Sequence, residues 1–200
     1  MFAEKLGILI VMSTEIISKS LSGIILLKPQ LFNDQRGFFS ELWSQRNLSE
    51  VGIDINFLQE NHSFSHNAGT IRGLHSQSPP YAQTKLVRCG KGRFFDVAVD
   101  IRIGSPTYGQ WVGEELSFEN GKQLLIPVGF LHGFATLEPN TEIIYKCSEY
   151  FAPGFEYSVR FDDPDIDIDW GIRSEDAILS DKDANAPFLK DLSSPFSYEQ

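Results

Sequence analysis

Five residues in the middle of the chain make up a set that proton transfer needs: His75, Lys85, Asp96, His132 and Tyr145. An imidazole, with an unperturbed pKa of about 6.5, can take a carbon-bound proton near neutral pH. An ammonium can stabilise an enolate oxygen as it develops, and a phenol can return a proton from the opposite face. His75 closes the run Arg-Gly-Leu-His, Lys85 stands in Gln-Thr-Lys-Leu-Val-Arg, and Tyr145 shares one side of its strand with Ile143 and Cys147. Tyr150 is a rival phenol. Each residue also has a purely structural reading: a lone histidine in a strand is more often packed than catalytic, a lysine such as Lys85 is normally a surface residue of an edge strand, and either tyrosine reads as aromatic core.

A second group, Arg36, Phe39 and Glu41 in Arg-Gly-Phe-Phe-Ser-Glu, offers a guanidinium for a diphosphate, a ring for a flat base, and a carboxylate for base or ribose donors. Taken alone, it reads as a charged hairpin.

The elements that must position these groups are strands. From Gly23 onward, short runs rich in Ile, Val, Phe and Tyr recur between turn signals, and no helical periodicity is sustained before the C-terminal third. The runs predict strands over 24–27, 38–42, 56–62, 71–75, 85–89, 94–101, 110–117, 122–126, 132–137 and 142–149, with one short helix over 44–51. This is the spacing of an antiparallel β sandwich or barrel. Over 94–101 the alternation places Asp96, Ala98 and Asp100 on one face and Phe95, Val97, Val99 and Ile101 on the other. If Asp96 faces a polar interior, the aliphatic face needs a cover, and a second subunit is the economical one. A homodimer is expected on that ground. Strict alternation puts Arg72 and His75 on opposite faces, but Gly73 permits a bulge that would bring both to one cavity.

With 200 residues, 42% of them hydrophobic, the chain suits one core. The expected division is a single domain over 1–200: an N-terminal extension with the first strand (1–21), a barrel (22–165) and an acidic, Pro-punctuated segment (166–200) that wraps it. A net charge of −10 argues against a nucleic-acid partner, although one nucleotide needs only a local basic pocket. The apolar stretch over 6–12 is too short to span a bilayer, so no membrane partner is expected. Cys89 and Cys147 lie in apolar runs without metal or redox spacing, which suits a reducing, cytoplasmic setting.

Residues 121–132 read G-x5-P-x-G-x2-H, which resembles the second motif of the cupin barrels, and 69–75 supply the opening G-x5-H of the first. The match then breaks down. Gln77 stands at the place of the second histidine, and Tyr81 and Ala82 where the glutamate belongs, so two of four usual donors are absent. Neither a metal nor another cofactor is expected.

Taken together, residues 36–41, 59–62, 72–75, 79–88, 96–102, 105–109, 127–134 and 145–146 closely resemble the dTDP-4-dehydrorhamnose 3,5-epimerases, a likeness running over roughly 22–190. The resemblance implies a mainly β, double-stranded β-helix (jelly-roll, cupin) barrel with a few short helices, dimeric and without metal or nicotinamide. It implies that His75 abstracts the sugar protons with Asp183 of Ser-Asp-Lys-Asp orienting it, that Lys85 stabilises the enolate, and that Tyr145 donates a proton. Arg36, Glu41, Gln59, Asn61, Arg72, His132, Glu156 and Lys182 match positions that hold the nucleotide sugar, and Phe39 and Tyr150 are taken with them. The implied reaction inverts C3 and C5 of dTDP-4-dehydro-6-deoxy-D-glucose to give dTDP-4-dehydro-L-rhamnose for surface polysaccharide synthesis. One departure is Ser76, where the family more often has Tyr. It motivates an alternative: an epimerase acting at C3 or C5 only, or a keto-isomerase, on a related nucleotide-linked sugar.

Overall fold

Turn residues divide the chain into short strands, which dominate the computed structural model; it describes residues 13–21 and 23–198. In chain order the elements begin with β1 (Thr14–Ser20), β2 (Ile24–Pro29), β3 (Phe32–Asp34), β4 (Gly37–Phe39), α1 (Gln45–Glu50), β5 (Gln59–Ser65), β6 (Ile71–Gln77) and β7 (Lys85–Lys91). They continue with β8 (Arg93–Asp100), β9 (Trp111–Ser117), β10 (Gln123–Ile126), β11 (Phe130–Thr136), β12 (Thr141–Cys147), β13 (Glu156–Ser158) and α2 (Asp181–Ala184). One antiparallel sheet runs β1-β2-β10-β7-β12-β5, a second β13-β6-β11-β8-β9, and β3 and β4 form a separate hairpin. The two sheets form a jelly roll of the cupin type, the mainly β architecture expected from the sequence. The apolar stretch over 6–12 lies outside the described residues, among which no helix is long and apolar enough to cross a membrane.

Three apolar clusters hold these layers. Between the sheets lie Leu26 of β2, Val87 of β7, Phe94 and Ala98 of β8, Leu124 of β10, Phe134 of β11 and Ile143 of β12. Outside the six-stranded sheet, α1 and the residues after it pack Leu48 and Ile53 on Leu27, Leu86 and Leu125. Outside the five-stranded sheet, Val97, Val99 and Ile101 meet Val159, Phe161, Ile166, Trp170, Leu189 and Phe196.

That third cluster corrects one expectation. The aliphatic face of β8 is covered by the chain's own C-terminal residues rather than by a second subunit, so this face supplies no argument for a dimer. The cover is fastened by polar contacts: Trp170 Nε1 donates to the Phe161 carbonyl at 2.8 Å, and the buried Asp163 carboxylate accepts from the backbone of Asp165, Ile166 and Leu189. A second clamp lies at the end of β8. Arg102 donates to Asp100 and to the Leu21 carbonyl and stacks on Phe130 and Tyr198, joining the N- and C-terminal parts of the chain.

The largest displacement of a predicted strand is at β5, expected over 56–62 and observed as Gln59–Ser65. Ile55 and Phe57 provide the apolar signal but pack on the outer cluster from a loop, whereas the paired residues are mostly polar. An edge strand bordering a polar cavity has no apolar face to announce it.

At Gly73 the expected irregularity is present. The β6–β11 register slips between His132 and Phe134, and Gly73 has a φ of +124°. A Cβ there would lie 2.6 Å from the Gly133 Cα and 2.8 Å from the His132 carbonyl oxygen, so only glycine lets the strands approach this closely. Arg72 and His75 consequently line one cavity.

Candidate active site

A cavity of about 720 Å³ opens into the barrel between the sheets, bordered by His75, Arg72, Lys85, His132, Tyr145 and the α2 residues Lys182 and Asp183. A second lobe of about 480 Å³ shares His75, Lys85, Tyr145 and Lys182 and adds Gln59, Asn61, Ser76 and Glu156. Its size and mixed polar lining suit a small, oxygen-rich ligand.

The walls are chemically different. His75 and His132 come from β6 and β11 of the five-stranded sheet, where they stand directly opposite each other. Lys85 and Tyr145 come from β7 and β12 of the six-stranded sheet, so the imidazole and the phenol face the cavity from opposite walls.

His75 Nε2 lies 2.6 Å from Asp183 Oδ1. Ser180 caps α2, its hydroxyl accepting from the Asp183 N–H at 3.2 Å, and this turn delivers the carboxylate to the histidine. Burial works to raise the Asp183 pKa, but the hydrogen bond and charge of His75, with Ser180 and the Gly73 backbone, outweigh it and hold the carboxyl below its ordinary value. A carboxylate accepting from Nε2–H leaves Nδ1 with a free lone pair, which is the form a base requires.

His132 Nε2 makes a matching contact of 2.7 Å with Asp96 Oδ1 of β8. Burial lowers the His132 pKa, opposed by the charge and hydrogen bond of Asp96. Burial raises that of Asp96, opposed by His132 and Lys85.

Lys85 begins β7 beside Cys147 of β12. Burial pulls its ammonium below the usual range, opposed by Cys147 and Asp96, and among the described residues it makes no hydrogen bond or ion pair. It is a desolvated amine without a partner among the described residues, available to a ligand. Tyr145 is pushed up by burial, against a hydrogen bond from Asn61, and so stays protonated at neutral pH. Its ring centroid lies 6.4 Å from that of His132.

Not every expected residue reaches the cavity. Arg72, Gln59, Asn61, Glu156 and Lys182 line it; Lys182 is paired with Glu156, and Gln59 Nε2 donates to Asn61 Oδ1 at 2.9 Å. Arg36 and Phe39 are exposed on the β3–β4 hairpin, Arg36 paired with Asp34, and Glu41 accepts from Asn47; none of the three lines either lobe. Tyr150 is also exposed and outside the lining, and the neighbouring Phe151 lines the second lobe instead. His62, paired with Glu142, also borders both lobes, a position that its place on a polar edge strand did not signal.

Gln77, at the place of the second cupin histidine, is buried and used structurally. Its amide donates to the carbonyls of Tyr81 and Tyr150 and accepts from the Ala152 N–H, tying together the loops after β6 and β12. Among the described residues, no cluster of three or more His, Cys, Asp or Glu side chains could hold a metal ion.

Fold and site thus define a cupin-type barrel whose interior is equipped for acid–base chemistry on a small ligand. Residues 18–191 match the family model described as dTDP-4-dehydrorhamnose 3,5-epimerase. The chain belongs to that family. A dTDP-4-dehydrorhamnose 3,5-epimerase of Sinorhizobium fredii is 46% identical over 185 residues, 90% of this chain and 92% of the relative. The crystal structure of a Bacillus anthracis dTDP-4-dehydrorhamnose 3,5-epimerase with TDP and PPi bound matches with a TM-score of 0.86 and 45% identity, covering 88% of this chain and 100% of that one. The Legionella pneumophila dTDP-6-deoxy-D-glucose-3,5-epimerase in complex with dTDP-4-keto-L-rhamnose matches with a TM-score of 0.87 and 42% identity, covering 94% and 100%.

Proposed function

We propose that the protein epimerises C3 and C5 of dTDP-4-dehydro-6-deoxy-D-glucose, giving dTDP-4-dehydro-L-rhamnose. The observation that carries this reading is a base and a phenol on opposite walls of one cavity, with the desolvated Lys85 beside them.

The C4 ketone acidifies the hydrogens at C3 and C5 alike. His75, oriented by Asp183, removes each as a proton, and the electron pair moves onto the C4 oxygen, where Lys85 stabilises the enolate. Tyr145 returns a proton from the other wall, and the centre is inverted. Protons are balanced through solvent, with no net redox change. Arg72, Gln59, Asn61, His132, Glu156 and Lys182 hold the nucleotide sugar.

Homodimer formation supplies a use for Arg36, Phe39 and Glu41. They are assigned to substrate yet stand away from the cavity of their own chain, which suits delivery to a second copy. Two buried free cysteines suit a cytoplasmic enzyme.

Ser76 lines the second lobe next to His75 and favours the one-carbon alternative. Proton NMR of the product formed from dTDP-4-dehydro-6-deoxy-D-glucose separates the two. The L-rhamno product, inverted at both carbons, is expected; inversion at one carbon would establish the narrower enzyme, and an unaltered sugar would reject this substrate.

A further inference from the structure

The assignment of Lys85 as an enolate-stabilising cation leaves unexplained how a buried lysine keeps its charge. Desolvation favours the neutral amine, and Lys85 has no ion-pair partner in direct contact among the described residues. The nearest explanation lies behind the cavity wall. Asp96 is fully buried, its Oδ1 held by His132, and its Oδ2 accepts no hydrogen bond from any described residue. A carboxyl oxygen without a hydrogen-bond donor costs stability, and a buried group of that kind calls for a reason. It acts electrostatically on Lys85 and His132 together.

We propose that Asp96 is a positioning residue of the site: it fixes the Nε2–H tautomer of His132, which burial keeps neutral, and provides the negative charge that keeps Lys85 an ammonium. The proposal rests on the epimerase reading for the use made of that ammonium, but not for the charges themselves. Charge counting allows this state. With Asp96 ionised, His132 neutral and Lys85 protonated, the three buried groups sum to zero. Protonating either Asp96 or His132 while Lys85 stays charged leaves one uncompensated positive charge in the interior.

The other titratable groups around Lys85 do not replace Asp96. From β12 come Cys147 and Tyr145, both pushed upward by burial and therefore neutral near pH 7. From β6 comes His75, whose partner Asp183 on α2 is already engaged with it. Glu156 of β13 is paired with Lys182 of α2, while Arg72 of β6 and His62 of β5 stand on the cavity wall. Asp96 of β8 is the carboxylate left without a second partner.

Asp96→Asn isolates the charge, since the amide oxygen still accepts from His132 Nε2–H. In protein carrying 13C,15N-lysine, with Lys85→Arg used to assign the resonance, the Lys85 titration is expected to move down by about one to three pH units in Asp96→Asn. The alkaline limb of kcat should move with it, while KM changes by less than about threefold. An unmoved Lys85 titration would overturn the proposal. If Asp96→Asn does not fold, 15N spectra of the wild-type histidines decide: a neutral, Nε2-protonated His132 at pH 7 supports the proposal, and a doubly protonated ring overturns it. These spectra need no substrate. A wild-type protein that leaves the keto sugar unaltered would therefore sink the epimerase reading while the Lys85 titration still judges Asp96.

Discussion

The molecule contains two His–Asp pairs of almost the same length, 2.6 Å in His75–Asp183 and 2.7 Å in His132–Asp96, and they differ in access. The His75 side chain is 35% exposed and its Asp183 5%, whereas His132 is 6% exposed and Asp96 0%. Asp96 is delivered by the strand next to His132, but Asp183 comes from α2, 108 residues beyond His75. The reachable pair can exchange protons with a ligand and with solvent. The enclosed pair is suited to hold one protonation state. Similar contacts thus support different chemistry because burial decides which charge changes are affordable in energy.

Breaking the reachable pair should have the largest effect. His75→Ala removes the base and should lower kcat by about 10²–10⁴. Asp183→Asn keeps a hydrogen-bonding partner but loses the charge, so it should retain more activity than His75→Ala, with KM little changed in steady-state kinetics. On the opposite wall, Lys85→Ala should cost about 10²–10³ in kcat, the scale of one lost oxyanion donor, with a smaller change in nucleotide-sugar affinity measured by calorimetry.

A third buried carboxylate sharpens the comparison. Asp100 sits outside both lobes, and burial works to raise its pKa, but hydrogen bonds from Arg102, Ser105 and Thr107 outweigh it and hold it at about 2. Asp100→Asn should therefore cost about 3–5 kcal/mol of stability at pH 7 while leaving kcat within a few-fold. A depressed carboxyl stabilises the fold fully above its unfolded pKa of about 3.9, and that contribution is lost as pH falls through about 2. Urea denaturation of wild type and variant should show the gap narrowing by about 2–3 kcal/mol as pH falls between those values.

How much of this was legible in the sequence depended on what each strand faces. In β8 the alternation of Asp96 and Ala98 against Val97 and Val99 sorted inward from outward correctly, because the two aspartates recur on one face and the branched aliphatics on the other, although both faces pack against apolar clusters. In β5 the same reasoning placed the strand three residues early, since its residues border a polar cavity and carry no apolar period. Gly73 was readable as a bulge from the conflict between Arg72 and His75. That the acidic segment wraps the barrel was expected, but not that it covers β8: Phe161, Ile166, Trp170 and Phe196 are scattered among acidic residues, and their fit to that face emerges only in three dimensions. The pairing of Asp183 with His75 had no local signal either, and came from family resemblance rather than from spacing.

The central claim is that one base, His75, serves both carbons of the keto sugar. Its most direct test is proton NMR of dTDP-4-dehydro-6-deoxy-D-glucose in deuterated buffer, following the C3 and C5 signals with wild type and with His75→Ala. Loss of both signals with wild type, and retention of both with the variant, is the predicted result. Continued exchange at either carbon in His75→Ala would contradict it and move the base to another residue of the cavity.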